Sequence, residues 1–166
     1  DPMVVGVGEV VVDCSIEECA SNEYDSYGRA ALTMFYGVGG GILRGIHYYN
    51  LHSMRNRSVY HFPLGLRPRE FLWRAVWNKI DADTIVIAYV PLDDPELPVI
   101  PDYVRASSTI FIEFKRVPNS NGIEGTKMRY KTQLNLNGRI PVKFVNSQLA
   151  SRSMFLEGVR RKFDKS

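Results

Sequence analysis

Three histidines, two cysteines and one displaced arginine are the residues of this chain whose types and spacing could do chemistry. His47, His52 and His61 fall in two neighbouring strand-like runs. His47 and His52 have opposite strand parity, so they do not share a face. There is no Ser/His/Asp order, no G-x-S-x-G and no H-E-x-x-H. The glycine run Gly37–Gly41 (GVGGG) lacks the Lys-Ser/Thr of a phosphate-binding loop. Cys14 and Cys19 lie five apart in a short helical stretch, a poor geometry for a disulfide, with no further Cys or His at zinc spacing. They read as the reduced thiols of an intracellular protein. No catalytic residue, metal or cofactor is assigned.

Arg152 poses the sharper question. From Pro141 the apolar positions are Val142, Val145, Leu149, Leu156, Val159 and Phe163. Their three- and four-residue steps are the stripe of an amphipathic helix. The gap between Leu149 and Leu156 falls on Arg152 or Ser153, which puts a guanidinium near the buried side. An unpaired buried charge is costly. Arg152 therefore snorkels to water, pairs with an acid, or meets a polar group of a ligand.

The elements that must position such residues follow from periodicity. Val4–Asp13 is β-branched and strand-like. Ser15 caps a short helix with Glu17 and Glu18 in its first turn. Tyr24–Tyr36 reads as a second helix, broken by Gly37–Gly41. Strand-like runs follow at Leu43–Leu51, Arg57–Leu64, Arg69–Ile80, Thr84–Leu92, Tyr103–Val117 and Thr126–Asn137. Asp81-Ala82-Asp83 is a hairpin turn, Leu92–Pro101 a proline-rich loop and Pro118–Gly125 a turn. Pro141 opens the last helix, which runs to about Phe163. The order is β, α, α, six β, long α. It predicts an α+β fold, one antiparallel sheet of about seven strands with its helices on one side.

Strand alternation shows which face is covered. In the last strand Met128, Tyr130, Thr132, Leu134 and Leu136 face one way, and Lys127, Arg129, Lys131, Gln133, Asn135 and Asn137 the other. In Tyr103–Val117 the covered set is Val104, Ala106, Ser108, Ile110 and Ile112. In Arg69–Ile80 it is Phe71, Trp73, Ala75 and Trp77, with Glu70, Arg74 and Asn78 wet. Small residues thus share a face with very large ones. Jigsaw packing and an aromatic-walled cavity with a few hydroxyls both fit that mixture.

At 166 residues, 45% hydrophobic and 23% charged, the chain can bury one real core. A net charge of +3 does not predict a nucleic-acid partner. From Arg139 onward seven Lys/Arg stand against two acids. That run is a solvated helix face or a patch drawn to anionic membrane. No stretch is apolar enough to span a bilayer, and no signal peptide is seen. Asn56-Arg57-Ser58 matches a glycosylation sequon, a triplet common by chance. Asp1-Pro2 fits a cloning remnant, and the early first strand fits a domain of a larger protein.

Four stretches resemble the StAR-related lipid-transfer (START) domain of the Bet v 1-like helix-grip superfamily. They are Val10-Val11-Val12-Asp13, Pro68-Arg69-Glu70-Phe71, Tyr103-Val104-Arg105-Ala106, and Thr126-Lys127 with Leu134-Asn135-Leu136-Asn137-Gly138-Arg139-Ile140-Pro141 and Val145-Asn146. The resemblance runs from about Glu9 to the C-terminus and is loose over Asn22–Gly65. It implies a helix-grip fold, a curved antiparallel sheet wrapped around the C-terminal helix with an apolar tunnel between. It also implies non-catalytic binding and transfer of a lipid, with Leu92–Pro101 as the long loop that gates the tunnel mouth together with the helix. The single domain, 4–164, then lacks the family's first helix and strands.

On that resemblance the tunnel is lined by Phe71, Trp73, Ala75 and Trp77, by Ala106, Ser108 and Ile110, and by Tyr130 and Leu134. The helix adds Val145, Leu149, Arg152 and Leu156. Ser108 and Arg152 offer the polar contacts. Where sterol-binding members place an arginine, this chain has Ala75, and the partner acid is missing near Asn56. The expected partners are a phospholipid, sterol or other lipid and, through Arg160, Arg161 and Lys162, an anionic membrane surface. The expected location is cytoplasmic, peripheral at membranes. Two other readings stay open: an enzyme of the same superfold acting on an apolar substrate, and a filled-core interaction domain plugged by Trp73 and Trp77.

Overall fold

The computed structural model describes residues 3–25, 28–37, 39–63, 65–118, 124–138 and 140–164, and in the last helix the side chains of 143, 144, 146 and 156 onward. Asp1-Pro2, Val38 in the glycine run, most of the 118–125 turn and Arg139 lie outside the described residues.

Nine valine-rich residues form β1 (Val4–Val12). Ser15 then caps α1 (Ile16–Tyr24). Its hydroxyl accepts from the Glu18 amide at 3.1 Å, and the Glu18 carboxylate accepts from the Ser15 amide at 3.0 Å. This reciprocal box satisfies two orphan helix donors. Cys14 and Cys19 flank the box, where a hydrophobic staple would sit. Both are free and buried. Their mutual hydrogen bond, and then burial, hold the Cys19 thiol far above its usual range. The second helix is shorter than expected. α2 spans Arg29–Tyr36, because the Asp25 carboxylate caps the preceding turn by accepting from the Gly28 amide at 2.7 Å.

Six strands follow: β2 (Gly41–Asn50), β3 (Ser53–Tyr60), β4 (Arg69–Asp81), β5 (Thr84–Pro91), β6 (Val104–Val117) and β7 (Gly125–Asn135). α3 (Val142–Phe163) ends the fold. β3 starts earlier than its sequence signal. The Asn50 side chain accepts from the His52 amide at 2.8 Å, tightening the turn so that pairing resumes at Ser53. Asn56 is therefore mid-strand and buried, which rules out its sequon as a surface acceptor.

The sheet order is β1-β7-β6-β5-β4-β3-β2, antiparallel between neighbours. Once β5 has ended at Pro91, the first residues of β4 and β6 pair directly and in parallel, Arg69–Phe71 with Val104–Ala106. The chain crosses from one sheet edge to the other through α1 and α2. α1 packs over β5–β7, and α3 lies against β1.

Gly8 makes that last contact possible. A Cβ there would come within 2.4 Å of Leu156 Cδ1. Gly8→Val is expected to destabilise the fold by about 1–3 kcal/mol by overpacking. Adding Leu156→Ala should recover part of the loss, as a double-mutant cycle in urea would show. Strict additivity would place the helix elsewhere.

One face assignment is corrected. Glu70, expected on the wet face, is fully buried. Residues 92–101 fold over the outer face of β3, β4 and β6 and cover it, along with Val59 and Leu72. Arg57 Nε and Arg105 Nη2 clasp the Glu70 carboxylate at 2.6 and 3.1 Å. The same two arginines donate to the Pro98 and Leu97 carbonyls at 2.8 and 2.9 Å. Arg55 meets Asp94 at 3.1 Å. The loop is thus a strap on the outside. The segment that meets the first turn of α3 is the β3–β4 connection, where the Phe62 and Phe144 rings lie 5.8 Å apart.

Candidate functional site

The inner face of the sheet is built around an aromatic wall. Phe71 and Trp73, on one face of β4, stack at 4.9 Å and 10°. Tyr89 meets Trp73 edge-on at 6.4 Å, and Tyr60 meets Phe71 at 5.9 Å. Phe35 of α2 closes on Tyr60 at 5.2 Å. It reaches there because Gly41 has no Cβ, which would fall 2.4 Å from the Phe35 ring. Edge-on and offset contacts suit aromatic quadrupoles.

Polar groups interrupt this wall at two places. The Trp73 indole N–H is shared between the Ser108 carbonyl at 2.9 Å and its hydroxyl at 3.1 Å. Ser108 is therefore engaged. The second place was not assigned from sequence. Arg44 of β2 donates from Nε to Ser58 Oγ at 3.4 Å, and that hydroxyl donates to Asn56 Oδ1 at 2.7 Å. Ser58 and Asn56 are buried directly beside Phe71 and Trp73 in the β3–β4 register. The Arg44 guanidinium carbon lies 3.8 Å from the Phe35 ring centroid, a cation–π distance. The signal was available: Arg44 shares strand parity with Ile42, Ile46 and Tyr48, so a cation sits within an apolar set.

The environment also shifts two tyrosines. Burial first, then Tyr48, pushes the Tyr24 hydroxyl up to about 12. Burial and the nearby Glu23 push Tyr89 well above its usual value, against the opposing charge of Arg44. The Tyr89 hydroxyl donates to the Glu23 carbonyl at 3.4 Å. An unfolded tyrosine ionises near pH 10. Above that pH the unfolded chain binds fewer protons than the folded one, so stability falls as pH rises. These two groups should leave stability unchanged below about pH 10 and erode it as pH climbs toward about 12. Urea titrations read by tyrosinate absorbance test this. Full ionisation of both before unfolding would refute the burial.

The other expected residues are placed as follows. Ala75, Ala106, Ile110, Tyr130 and Leu134 are buried on the inner face, and Leu156 is buried against Gly8. Trp77 is only half-buried and sits at the sheet's end, its indole N–H on the Leu51 carbonyl at 2.8 Å. The side chains of Val145, Leu149 and Arg152 lie outside the described residues. Arg160 and Arg161 are exposed and pair with Glu157, and Lys162 binds the Asn22 side chain. A notch of about 260 Å³ lies between the ends of β1 and α3, lined by Val11, Val12, Asp13, Arg160 and Asp164, away from the aromatic wall. Among the described residues no His/Cys/Asp/Glu group could hold a metal, and no helix could cross a membrane.

The motif residues hold the frame together. Arg69 is buried and donates to the Leu136 and Asn137 carbonyls at 3.0 and 3.2 Å, where Asn137 and Gly138 turn at positive φ. The Asn137 amide donates to the Arg105 carbonyl at 2.7 Å. Thr126 donates to the Cys14 carbonyl at 2.7 Å. The four stretches that resemble START domains are thus tied to one another. Their spacing reports the scaffold.

No protein-family model matches the chain, and no curated protein matches it by sequence. Solved structures do match in shape. The human StarD13 lipid transfer and protein localization domain aligns at TM-score 0.73 and 11% identity, over all of this chain and 80% of its own. Human StAR-related lipid transfer protein 5 aligns at 0.70 and 18%, over 95% of this chain and 75% of its own. The Zhui aromatase/cyclase from Streptomyces sp. R1128 aligns at 0.60 and 11%, over 97% and 93%. At these identities the likeness shows the fold: a seven-stranded helix grip of the START type, as the motifs imply.

Proposed function

We propose that this chain binds a lipid between the inner face of its sheet and α3, without chemistry, for transfer or sensing. The observation that carries the reading is the Arg44–Ser58–Asn56 chain set beside an aromatic wall. An apolar surface with a few fixed polar groups is what a ligand site needs. Burying an alkyl chain contributes about 0.8 kcal/mol per CH₂, so extraction needs no reaction. Arg44 faces the headgroup, the role sought in sequence for Arg152. Lipid-transfer domains among the structural neighbours support the same reading. A cytoplasmic location, peripheral at anionic membranes, completes it.

Native mass spectrometry after incubation with mixed liposomes tests this. One lipid per chain is expected, and Arg44→Leu should lower occupancy of anionic lipids by about tenfold, the loss of one charge-assisted contact. A bare mass after liposome exposure would sink the proposal. The aromatase/cyclase neighbour keeps a second reading in view. Tyr89, buried beside Arg44, is an inner hydroxyl held well above its usual pKa by burial. An enzyme would turn over an apolar substrate, and Tyr89→Phe would abolish that turnover while sparing lipid binding.

A further inference from the structure

β3 has two ends. At one, Phe62 meets the first turn of α3; at the other stands the tight hairpin to β2. Its tip is apolar. Leu51 is 85% exposed, more than any other large apolar side chain among the described residues, and Tyr48 and Tyr49 are about half exposed beside it. The tip is also held rigid. Asn50 accepts from the His52 amide at 2.8 Å, the Trp77 indole donates to the Leu51 carbonyl at 2.8 Å, and the His52 ring lies 4.3 Å from Trp77. The backbone that carries Leu51 is thus fixed with its side chain outward.

The hairpin's own charged residues are all basic. Residues 41–60 contain Arg44, Arg55, Arg57, His47 and His52 and no Asp or Glu. Arg55 and Arg57 are matched by Asp94 and Glu70 from other segments. Arg74 is exposed, donates to Ser53 Oγ at 3.2 Å and lies 5.4 Å from the Tyr49 ring centroid, with no acid paired to it among the described residues.

We propose that this hairpin tip docks the chain on an anionic membrane surface. Leu51 enters the boundary between headgroups and acyl chains, Tyr48 and Tyr49 lie at the interface, and Arg74 meets lipid phosphates. Tyrosine and tryptophan favour that interface, and basic residues near it are drawn by anionic lipid. A two-residue tip is too small for a stable protein contact, which needs about 800 Å² per partner. It suits insertion, and its rigidity removes an ordering cost. The proposal needs no lipid inside the sheet and stands apart from the ligand-binding reading.

The test is co-sedimentation of the full chain with vesicles of phosphatidylcholine, with and without phosphatidylserine, while Trp emission is followed. Binding should require phosphatidylserine and shift Trp77 emission to the blue. Leu51→Glu, at an exposed position, should keep the far-ultraviolet circular dichroism and lower vesicle binding by about tenfold or more. The comparison protein is the triple variant Arg160→Glu, Arg161→Glu, Lys162→Glu, which should retain the emission shift. Unchanged binding by Leu51→Glu would overturn the proposal. So would no binding by the parent chain, loss only in the triple variant, or an equilibrium-sedimentation dimer that Leu51→Glu dissolves, which would assign the tip to a second copy.

Discussion

Glu70→Leu is expected to be the most damaging single substitution on the outer face. The carboxylate is fully buried and answers two guanidinium groups, at 2.6 and 3.1 Å. Those arginines in turn hold the carbonyls of residues 97 and 98. Removing one partner of a buried pair typically costs about 3–5 kcal/mol, because the charge left behind has no compensation. Here both arginines keep some exposure, 19% and 24%, so part of that cost is relieved by water and the low end, about 3 kcal/mol, is expected. The strap at 92–101 should loosen with it and become the first site of proteolytic nicking. Urea unfolding with limited proteolysis reads both effects. Since the strap lies outside the sheet, ligand exchange should be unaffected. A variant as stable and as protease-resistant as the parent would show that the clasp contributes nothing.

Trp73→Ala carries the second large effect. Trp73 stacks on Phe71, meets Tyr89 edge-on and satisfies both oxygens of Ser108. Truncating a buried tryptophan costs about 3–5 kcal/mol through lost transfer energy and the space left behind. The variant also tells a lipid site from a filled core. If the inner face takes a lipid, an acyl chain can occupy the vacated volume, and incubation with liposomes should restore part of the lost melting temperature. If the loss stays complete with every lipid offered, Trp73 belongs to a closed core, and the ligand-binding reading is lost.

Much of the scaffold was legible along the chain, for local reasons. The period-2 pattern of β7 places Met128, Tyr130, Thr132 and Leu134 on the covered face, and all four are buried. Ser15 and Glu18 specify the start of α1 within four residues, since a capping box needs no distant partner. The order of strands and turns led to an antiparallel meander because short links allow little else. Errors arose where a distant segment decided. Glu70 follows the wet parity of β4, yet it is buried because residues 92–101 return over it. Arginines on two strands, Arg55 and Arg57 of β3 and Arg105 of β6, fasten residues 92–101 over that outer face.

Sequence alone thus determined the number and type of elements, the inner face of β4, β6 and β7 and the START-like order of motifs, since all of these depend on spacing within a few residues. Tertiary structure decided what those motifs are for. Arg69, Glu70, Arg105, Thr126 and Asn137 meet only after the sheet has curved and β7 has turned toward α3. It also brought Arg44 to the inner wall. Arg44 comes to Ser58 and Asn56 through the β2–β3 register, and a register is set by pairing between strands, which no single strand contains.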